Sequence, residues 1–491
     1  MARRSWRNFD YLLLGALLLL SAYGVTMIYS ATINTSGIEN LVQRQIIYVI
    51  AGTVLLLVTA SVDYRLLELV QLPFPILTPL VLALGNVGLV ISLQLGQMQP
   101  EEITLSLSLF EPSFPVMIVG MLLVIAAYVA DRLWIEKLDL LLPRAVMAMV
   151  VAGAAAAAFA ALNGLGADRP LAQSPYLLVG GVAVVYLLDC LTLRFTDTLR
   201  SPLYVVVLGM LGIILVVGQA SGGAQRWLGA GMVQPSELSK ILMIVVLAKF
   251  LVDREEEMEK FSTVLVSLGL VAVPMLLIYL QPDLGTALTM IAIWAAMMWM
   301  AGMRFRHLLF LAAVGVAALP LVWLNLEEYM RQRLLLFVNP TADPDSYFNV
   351  HQALVSIGSG GWTGKGLTHG TQSQLHFLRV RHTDFIFAVT AEELGFLGAT
   401  VMIGLIVFLL WRVLQVAGRS RDTFGRLIAA GVAGLILFQS VINVGMNLGL
   451  MPVTGIPLPF VSYGGSSFLT LMVAMGLVES VAMRHKKLEF D

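Results

Sequence analysis

The sequence predicts an all-α polytopic membrane protein with about fourteen transmembrane helices. Of its 491 residues, 58% are apolar and 12% are charged, whereas about 25% are charged in an ordinary soluble domain. A membrane-spanning helix uses about 20 apolar residues, so fourteen of them would take about 280. The apolar residues stand in long runs, not in the short alternating segments that are typical of membrane β-barrels.

This composition excludes several classes of protein. A soluble enzyme of this length could not cover so much apolar surface. A secreted disulfide scaffold is excluded because Cys190 is the only cysteine. No basic stretch indicates a nucleic-acid partner.

The spans are predicted from apolar runs of membrane-crossing length. The fourteen runs cover residues 11–31, 45–62, 74–96, 112–130, 143–163, 174–191, 201–219, 236–252, 261–280, 284–303, 305–325, 386–411, 427–450 and 463–483.

The positions of the basic residues predict the orientation. An even number of spans puts both termini on one side of the membrane. If that side is the cytoplasm, the inside segments hold 21 of the 30 Lys and Arg residues, as the positive-inside rule requires. We therefore predict cytoplasmic termini and a large extracellular loop at 326–385. A loop of that length, rich in glycine and aromatic residues, is usually functional.

Ionisable residues in or near the spans are candidates for function because their burial is costly. Glu237 and Lys240 are three residues apart, so they can pair on one helix face. They would then serve either as a structural ion pair or as contacts for a polar ligand. Glu392 and Glu393 lie further along the chain, and we expect one to face the bundle interior and the other to face Arg or water.

Asp384 lies where the outer loop meets a predicted span. Desolvation there would raise its pKa toward the range of a general base. The alternative is a helix N-cap, which Asp favours, and from the residues alone the cap is the preferred interpretation. Asp283 also precedes a span, and we interpret it as an N-cap.

Several ordered motifs resemble the SEDS family (shape, elongation, division, sporulation), the bacterial cell-wall polymerases that include RodA, FtsW and SpoVE. The motifs are Gly223-Ala224-Gln225-Arg226-Trp227, Gln234-Pro235-Ser236-Glu237-Leu238-Ser239-Lys240, Gln281-Pro282-Asp283-Leu284-Gly285, Gly370-Thr371-Gln372-Ser373-Gln374-Leu375, His382-Thr383-Asp384-Phe385 and Pro457-Leu458-Pro459-Phe460-Val461-Ser462-Tyr463-Gly464-Gly465-Ser466. The Gly370–Leu375 stretch and Asn443-Val444-Gly445-Met446 resemble the RodA branch, which indicates cell elongation.

The resemblance divides the chain into three parts. Residues 1–65 resemble the first two helices of the ten-helix family core, and 199–491 resemble the remainder. Residues 66–198 match no family pattern and hold four surplus spans, which could be a degenerate duplication, a partner-docking surface or a lipid-facing buttress. A second departure is Arg379-Val380, where family members usually carry Pro-Glu.

The resemblance implies an inverting glycosyltransferase that polymerises lipid II and releases undecaprenyl pyrophosphate. Asp384 matches the family's essential aspartate, so it becomes the expected general base or acceptor-positioning carboxylate. Residues assigned to substrate binding are Glu237 and Lys240 in the central cavity, Trp227 and Arg226 at its rim, and His382 and Thr383 beside Asp384. Lys365, Arg379 and Arg381 are our own candidates for offsetting pyrophosphate charge, on residue type and location alone.

Cofactor, partners and location follow from the same resemblance. No cofactor is certain, because the sequence shows no complete ligand set; a divalent cation, Mg²⁺ or Mn²⁺, could offset the same charge. The implied partners are lipid II, a class B penicillin-binding protein that acts as transpeptidase, and other membrane proteins of the elongation complex. The implied location is the bacterial cytoplasmic (inner) membrane, with the active site on the extracytoplasmic side. The competing functions are a lipid II flippase and a non-catalytic scaffold for a transpeptidase.

Overall fold

The computed structural model describes most of the chain outside one long segment. The described residues are 8–33, 40–69, 202–217, 219–221, 224–227, 234–325, 328–339, 344–375, 377–378 and 380–484. The predicted spans at 74–96, 112–130, 143–163 and 174–191 lie outside these ranges, as does almost all of the predicted surplus segment 66–198.

The described residues are nearly all helical. The helices are α1 (Tyr11–Thr32), α2 (Leu41–Ser61), α3 (Arg65–Leu69), α4 (Pro202–Val217), α5 (Pro235–Val252), α6 (Phe261–Tyr279), α7 (Leu284–Met300), α8 (Phe305–Asn325), α9 (Glu328–Val338), α10 (Pro344–Gly360), α11 (Thr371–Gln374), α12 (Ile386–Arg419), α13 (Thr423–Asn447) and α14 (Gly465–Met483). Two short strands, β1 (Gln219–Ser221) and β2 (Ala224–Trp227), pair antiparallel.

The chain divides into two compact units. One comprises residues 1–69 and 219–491, and the other comprises 70–218. The described part of the second unit is α4. All the contacts discussed below lie within the first unit.

The helices confirm a membrane protein with several spans. In the described part of the chain, six helices are long and apolar enough to cross a membrane: α1, α2, α6, α12, α13 and α14. Each of the ten predicted runs in the described ranges coincides with a helix, although most ends differ by a few residues. The largest difference is α12, which continues to Arg419 instead of ending at 411.

Helix α2 shows how a span divides its surface between lipid and protein. Ile47, Ile50, Val54 and Val58 recur at helical spacing and are all more than half exposed. The opposite face is buried and packs on α14, where Gly52 lies against the side chain of Met472. The exposed apolar stripe is what a helix facing lipid requires.

The centre of the bundle is formed by α5, α13 and α14, most of whose residues are buried. A helix that is buried on nearly every face must be apolar nearly all round. The polar residues that α5 and α13 do carry therefore need partners inside the protein. Some of those polar residues belong to the candidate site.

The segment 326–385, predicted from the sequence as the large extracellular loop, is partly helical in its described residues. It contains α9, α10 and α11, and α10 packs along α12. The glycines of this segment have two roles. Gly361, Gly364 and Gly366 adopt positive φ angles in the turns after α10, while Gly360 lets the α10 backbone approach the α12 backbone closely.

The close approach predicts opposite effects for two substitutions in α10. A Cβ at Gly360 would overlap the carbonyl oxygen of Ala391, whereas a Cβ at Gly358 would meet nothing within 4 Å. Gly360→Ala should therefore lower the thermal stability of the detergent-solubilised protein. Gly358→Ala should leave it unchanged or raise it, since Ala is favoured over Gly in a helix by about 0.5–1 kcal/mol. Equal melting temperatures for the two variants would contradict this packing.

Candidate functional site

Asp384 lies in a turn, residues 381–385. The main chain of this turn is held by the segment that immediately precedes α14. The carbonyl oxygen of His382 accepts from the amide of Tyr463 at 2.9 Å. The carbonyl oxygen of Thr383 accepts from the hydroxyl of Ser462 at 2.6 Å. The predicted residues His382, Thr383 and Asp384 are thus held together against the motif that contains Ser462 and Tyr463.

The carbonyl of Asp384 itself is held by two buried asparagines of α13. The side-chain amides of Asn443 and Asn447 donate to it at 3.1 Å and 2.9 Å. Both asparagines are fully buried, and their i, i+4 spacing puts them on one helix face. Sequence reasoning did not assign them to the site, although two asparagines at that spacing in an apolar helix were a usable signal.

The Asp384 side chain does not cap α12. The N-cap residue is Phe385, and it makes no side-chain capping hydrogen bond, so the interpretation preferred from the residues alone was wrong. Burial raises the pKa of the half-buried Asp384 carboxyl, while a hydrogen bond from Thr383 and the charge of Arg333 act in the opposite direction. The net rise shifts the carboxyl toward the range useful for a general base.

Glu237 and Lys240 form the predicted ion pair at the start of α5. Their side chains meet at 2.8 Å and are almost fully buried. Just before them, the amide of Gln234 donates to the Ser466 hydroxyl at 3.0 Å. The side chain of Gln234 also donates to Asp283, at 3.4 Å. The starts of α5, α7 and α14 therefore meet, and a ligand-binding role for the pair stays a prediction.

Asp283 is an N-cap, as predicted. Its carboxylate accepts from the amide of Thr286 at 3.1 Å at the start of α7.

Glu392 organises the segment after α10 through its buried carboxylate. It accepts from the Lys365 ammonium at 2.9 Å and the Thr371 hydroxyl at 3.0 Å. It also accepts from the amides of Gln372 at 2.9 Å and Ser373 at 3.3 Å. A carboxylate with no exposed surface is thus satisfied entirely by residues 365–373, which follow α10, as a buried charge requires.

Glu393 is buried beside it and connects the same segment to α1. Its carboxylate accepts from the Ser30 hydroxyl, from the amide of Thr368 at 3.2 Å and from the hydroxyl of Ser373 at 3.2 Å. The expectation that one of the two glutamates faces the interior and the other faces Arg or water was wrong. Both are buried, and both bind the segment that follows α10.

The main chain of α12 supports these contacts. The helix is kinked at Gly395, which has φ 65° and ψ −163°. The kink leaves the carbonyls of Glu392 and Glu393 available, and they accept from the amides of Lys365 at 3.0 Å and Gly366 at 2.9 Å. Gly395 is required because a residue with a side chain rarely adopts that positive φ.

The remaining predicted residues have separate positions. Arg381 is buried, and it donates to the carbonyls of Ala31 at 2.6 Å and Leu378 at 3.3 Å. Arg226 and Trp227 lie on β2, and only their main chain is described. Arg379 lies outside the described residues.

His382 packs its ring against Tyr463, with 5.9 Å between the ring centroids. Burial, together with the charge of Arg381, lowers the pKa of His382. Both effects favour the neutral imidazole.

The structure gives no support for a metal centre made by protein ligands alone. In the parts of the chain that are described, no three His, Cys, Asp or Glu side chains lie close enough to hold a metal ion. A Mg²⁺ ion is often bound by one or two carboxylates together with substrate phosphates. A cation of that kind stays a prediction.

The Glu393 contacts predict local loosening when the carboxylate is removed. Glu393→Ala leaves Ser30, Thr368 and Ser373 without their shared acceptor, at a cost of about 1–3 kcal/mol for each buried group left unsatisfied. Amide hydrogen exchange should therefore speed up across residues 366–374. Glu256→Ala, on an exposed side chain, is the control and should change nothing there. Unchanged protection in Glu393→Ala would contradict the role assigned to this carboxylate.

Curated relatives resemble this chain over most of their own length. Peptidoglycan glycosyltransferase MrdB of Escherichia coli K12 is 39% identical over 313 residues, which are 63% of this chain and 84% of that protein. Stage V sporulation protein E of Bacillus subtilis 168 is 37% identical over 314 residues, 62% of this chain and 85% of that protein.

Solved structures share the fold. A chain from a study titled "Structural coordination of polymerization and crosslinking by a peptidoglycan synthase complex" is similar with a TM-score of 0.62 and 24% identity, over 98% of this chain and 99% of the other. The rod shape determining protein RodA of Thermus thermophilus is similar with a TM-score of 0.50 and 25% identity, over the same shares of the two chains.

A family model described as "Cell cycle protein", FTSW_RODA_SPOVE, matches residues 147–487. The match begins inside the predicted surplus segment 66–198. It includes the turn at Asp384, the Glu237–Lys240 pair and the two buried glutamates of α12. The resemblance predicted from the motifs is confirmed: the chain belongs to the FtsW/RodA/SpoVE family, the SEDS proteins.

Proposed function

We propose that this chain is the peptidoglycan glycosyltransferase that polymerises lipid II during cell elongation, with Asp384 as its general base. The names of the relatives support the enzyme class and the reaction. One observation carries the role of Asp384. Its carboxyl does not cap a helix but stands on a turn whose three consecutive carbonyls all accept hydrogen bonds.

In the proposed reaction, the 4-hydroxyl oxygen of one sugar attacks the anomeric carbon of another. The new C–O bond forms as the bond to the pyrophosphate oxygen breaks, and the bonding electron pair leaves with undecaprenyl pyrophosphate. The hydroxyl proton passes to the carboxylate of Asp384. A single displacement inverts the anomeric centre, so an α-linked donor gives a β-linked product.

The fixed main chain of the turn suits this role. A base must stay within hydrogen-bond reach of the hydroxyl it deprotonates, and misplacement by about 1 Å can cost about 100-fold in rate. Asn443 and Asn447 hold the Asp384 carbonyl. The carboxyl therefore projects from a main-chain position that two buried side chains hold.

The arrangement in the membrane is also part of the proposal. We place both termini in the cytoplasm and the site on the extracytoplasmic side of the inner membrane, with fourteen spans in total. The six long apolar helices and the predicted distribution of Lys and Arg support this placement. The division into 1–65, 66–198 and 199–491 likewise stays a prediction.

The proposed partners follow the same reasoning. A similar chain was solved in a study of a complex that coordinates polymerization and crosslinking, which supports a class B penicillin-binding protein as the transpeptidase partner. Other elongation-complex membrane proteins are further proposed partners. Lipid II is the proposed substrate.

The competing functions make different predictions. A flippase should hold its substrate near the middle of the membrane, whereas Asp384 precedes the first turn of α12. A scaffold should form no glycan by itself. The test is to supply the purified chain with lipid II but without ATP or an ion gradient. Glycan formed under these conditions indicates a polymerase, because neither a flippase nor a scaffold would form it.

Asp384→Asn should lower polymerisation strongly and leave the protein folded, because the amide keeps the shape of the carboxylate but cannot take a proton. The loss should be on the order of 10²–10⁴-fold, as for removal of a general base. The measurement is glycan formation from labelled lipid II, with the melting temperature as a check on folding. Glu256→Gln is the matched control on an exposed carboxylate, and full activity in Asp384→Asn would refute the role.

The raised pKa of Asp384 predicts the shape of the acid side of the pH profile. A general base works when deprotonated, so kcat/KM should be high above the pKa of Asp384 and fall as the pH drops through it. Because burial raises that pKa, the fall should occur at a higher pH than the ordinary aspartate value of about 3.9. Residual activity in Asp384→Asn should lack this limb, and an identical limb in that variant would assign it to another group.

A further inference from the structure

A cavity of about 450 Å³ lies at the other end of α12 from the Asp384 turn. Its walls are residues 8–12 at the start of α1, the last two turns of α12 and the end of α14. Arg412, Gln415 and Arg419 of α12 all line it, because residues three and seven positions apart share one helix face. The proposed reaction uses no residue of this cavity.

Two opposite charges in the wall neutralise each other. The guanidinium of Arg412 forms an ion pair with Asp10, with Nε at 3.1 Å from Oδ2, and its Nη1 donates to the Gln415 side-chain oxygen at 2.8 Å. The carboxyl of Glu479 accepts from the amide of Asp10 at 2.5 Å. It has no exposed surface and does not line the cavity. The positive charge that a ligand in the cavity can reach is therefore that of Arg419.

Arg419 has donors to offer to such a ligand. In the part of the chain that the structure describes, its exposed side chain makes no hydrogen bond or ion pair. Gln415 uses its side-chain oxygen on Arg412, which leaves the N–H groups of its amide as further donors. A planar guanidinium beside an amide donor is suited to the oxygens of a phosphate.

The surroundings of the cavity place it at the surface of the membrane. Tyr11 and Leu12 at the start of α1 are 66% and 62% exposed, and Trp411 and Leu414 near the end of α12 are 50% and 48% exposed. Exposed apolar side chains on spanning helices face lipid, and Trp and Tyr are enriched at the level of the headgroups. The cavity thus lies where an apolar, lipid-facing surface meets the first charged residues.

We propose that this cavity binds the headgroup of an anionic phospholipid, with its phosphate on Arg419 and its acyl chains along the exposed apolar side chains of α1 and α12. The distribution of Lys and Arg predicts that this end of both helices faces the cytoplasm, where the leaflet is rich in anionic lipid. The bound lipid would join the start of α1 to the end of α12, in addition to the Asp10–Arg412 pair. The inference goes beyond the proposed function and does not depend on glycan synthesis.

The chain offers a matched control for Arg419. Arg306, in the first turn of α8, is also exposed, and the charge distribution predicts it on the same side of the membrane. It does not line the cavity. Arg306→Gln and Arg419→Gln therefore remove the same charge from the same predicted membrane surface, but only Arg419→Gln removes it from the cavity.

The experiment titrates the purified, delipidated full-length protein with phosphatidylglycerol or with phosphatidylcholine of the same acyl chains, and measures binding by native mass spectrometry. The wild type should prefer phosphatidylglycerol. In Arg419→Gln its affinity for phosphatidylglycerol should fall at least about fivefold, the contribution of one basic residue near an anionic lipid, and its affinity for phosphatidylcholine should not change. Arg419→Lys should keep part of the preference, since it retains the charge without the planar donor set. Arg306→Gln should match the wild type.

Three results would overturn the inference. The first is equal affinity of the wild type for the two lipids. The second is a loss in Arg306→Gln as large as that in Arg419→Gln, which would indicate attraction to the whole basic surface and not to the cavity. The third is displacement of the lipid by an equal concentration of soluble glycerol phosphate, which would make the site one for a free anion. Equal melting temperatures of the lipid-free variants and wild type check that folding is intact.

Discussion

Two adjacent buried carboxylates, Glu392 and Glu393, are the constraint on which the position of the segment after α10 depends. Buried carboxylates must be paired or hydrogen-bonded, because an isolated buried charge is costly. Here the donors come from the segment after α10 and from Ser30 of α1. The requirement to satisfy these two charges inside the membrane domain therefore determines where that segment lies. The kink at Gly395 belongs to the same arrangement, since it frees the two carbonyls that the segment also binds.

Asp384 precedes the same helix and is fixed by different elements. Its turn is held by Asn443 and Asn447 of α13 and by Ser462 and Tyr463 before α14. The main-chain position of the turn is therefore set by the buried centre of the bundle, which is the least mobile part of a packed protein. The side chains of His382, Thr383 and Asp384 remain half-buried and therefore partly accessible to a ligand. A rigid main chain with accessible side chains is the arrangement that precise catalysis requires.

Apolar periodicity and motif order predicted the positions of the described spans and the approximate place of the site, because both depend on local runs of residues. They could not predict contacts between distant residues. The Asp384 cap was wrong because cap preference is local, whereas the turn is held by hydrogen bonds from residues about 60 to 80 positions away. Lys365 was chosen for its charge, but its partner Glu392 is 27 residues away. The segment 326–385 was predicted only as a long loop because it holds no apolar run of spanning length, and that criterion detects neither its helices nor the packing of α10 on α12 at Gly360.

The three hydrogen-bonded carbonyls of the Asp384 turn also affect the electrostatic potential that the turn presents to a ligand. Each peptide carbonyl carries a partial negative charge, and those of His382, Thr383 and Asp384 all point at donors within the protein. The donor bound to each oxygen partly offsets its negative charge. An anionic lipid approaching this turn meets the carboxyl of Asp384 without the added repulsion of a row of peptide oxygens. The asparagines of α13 thus shape the electrostatic field of the site as well as its geometry.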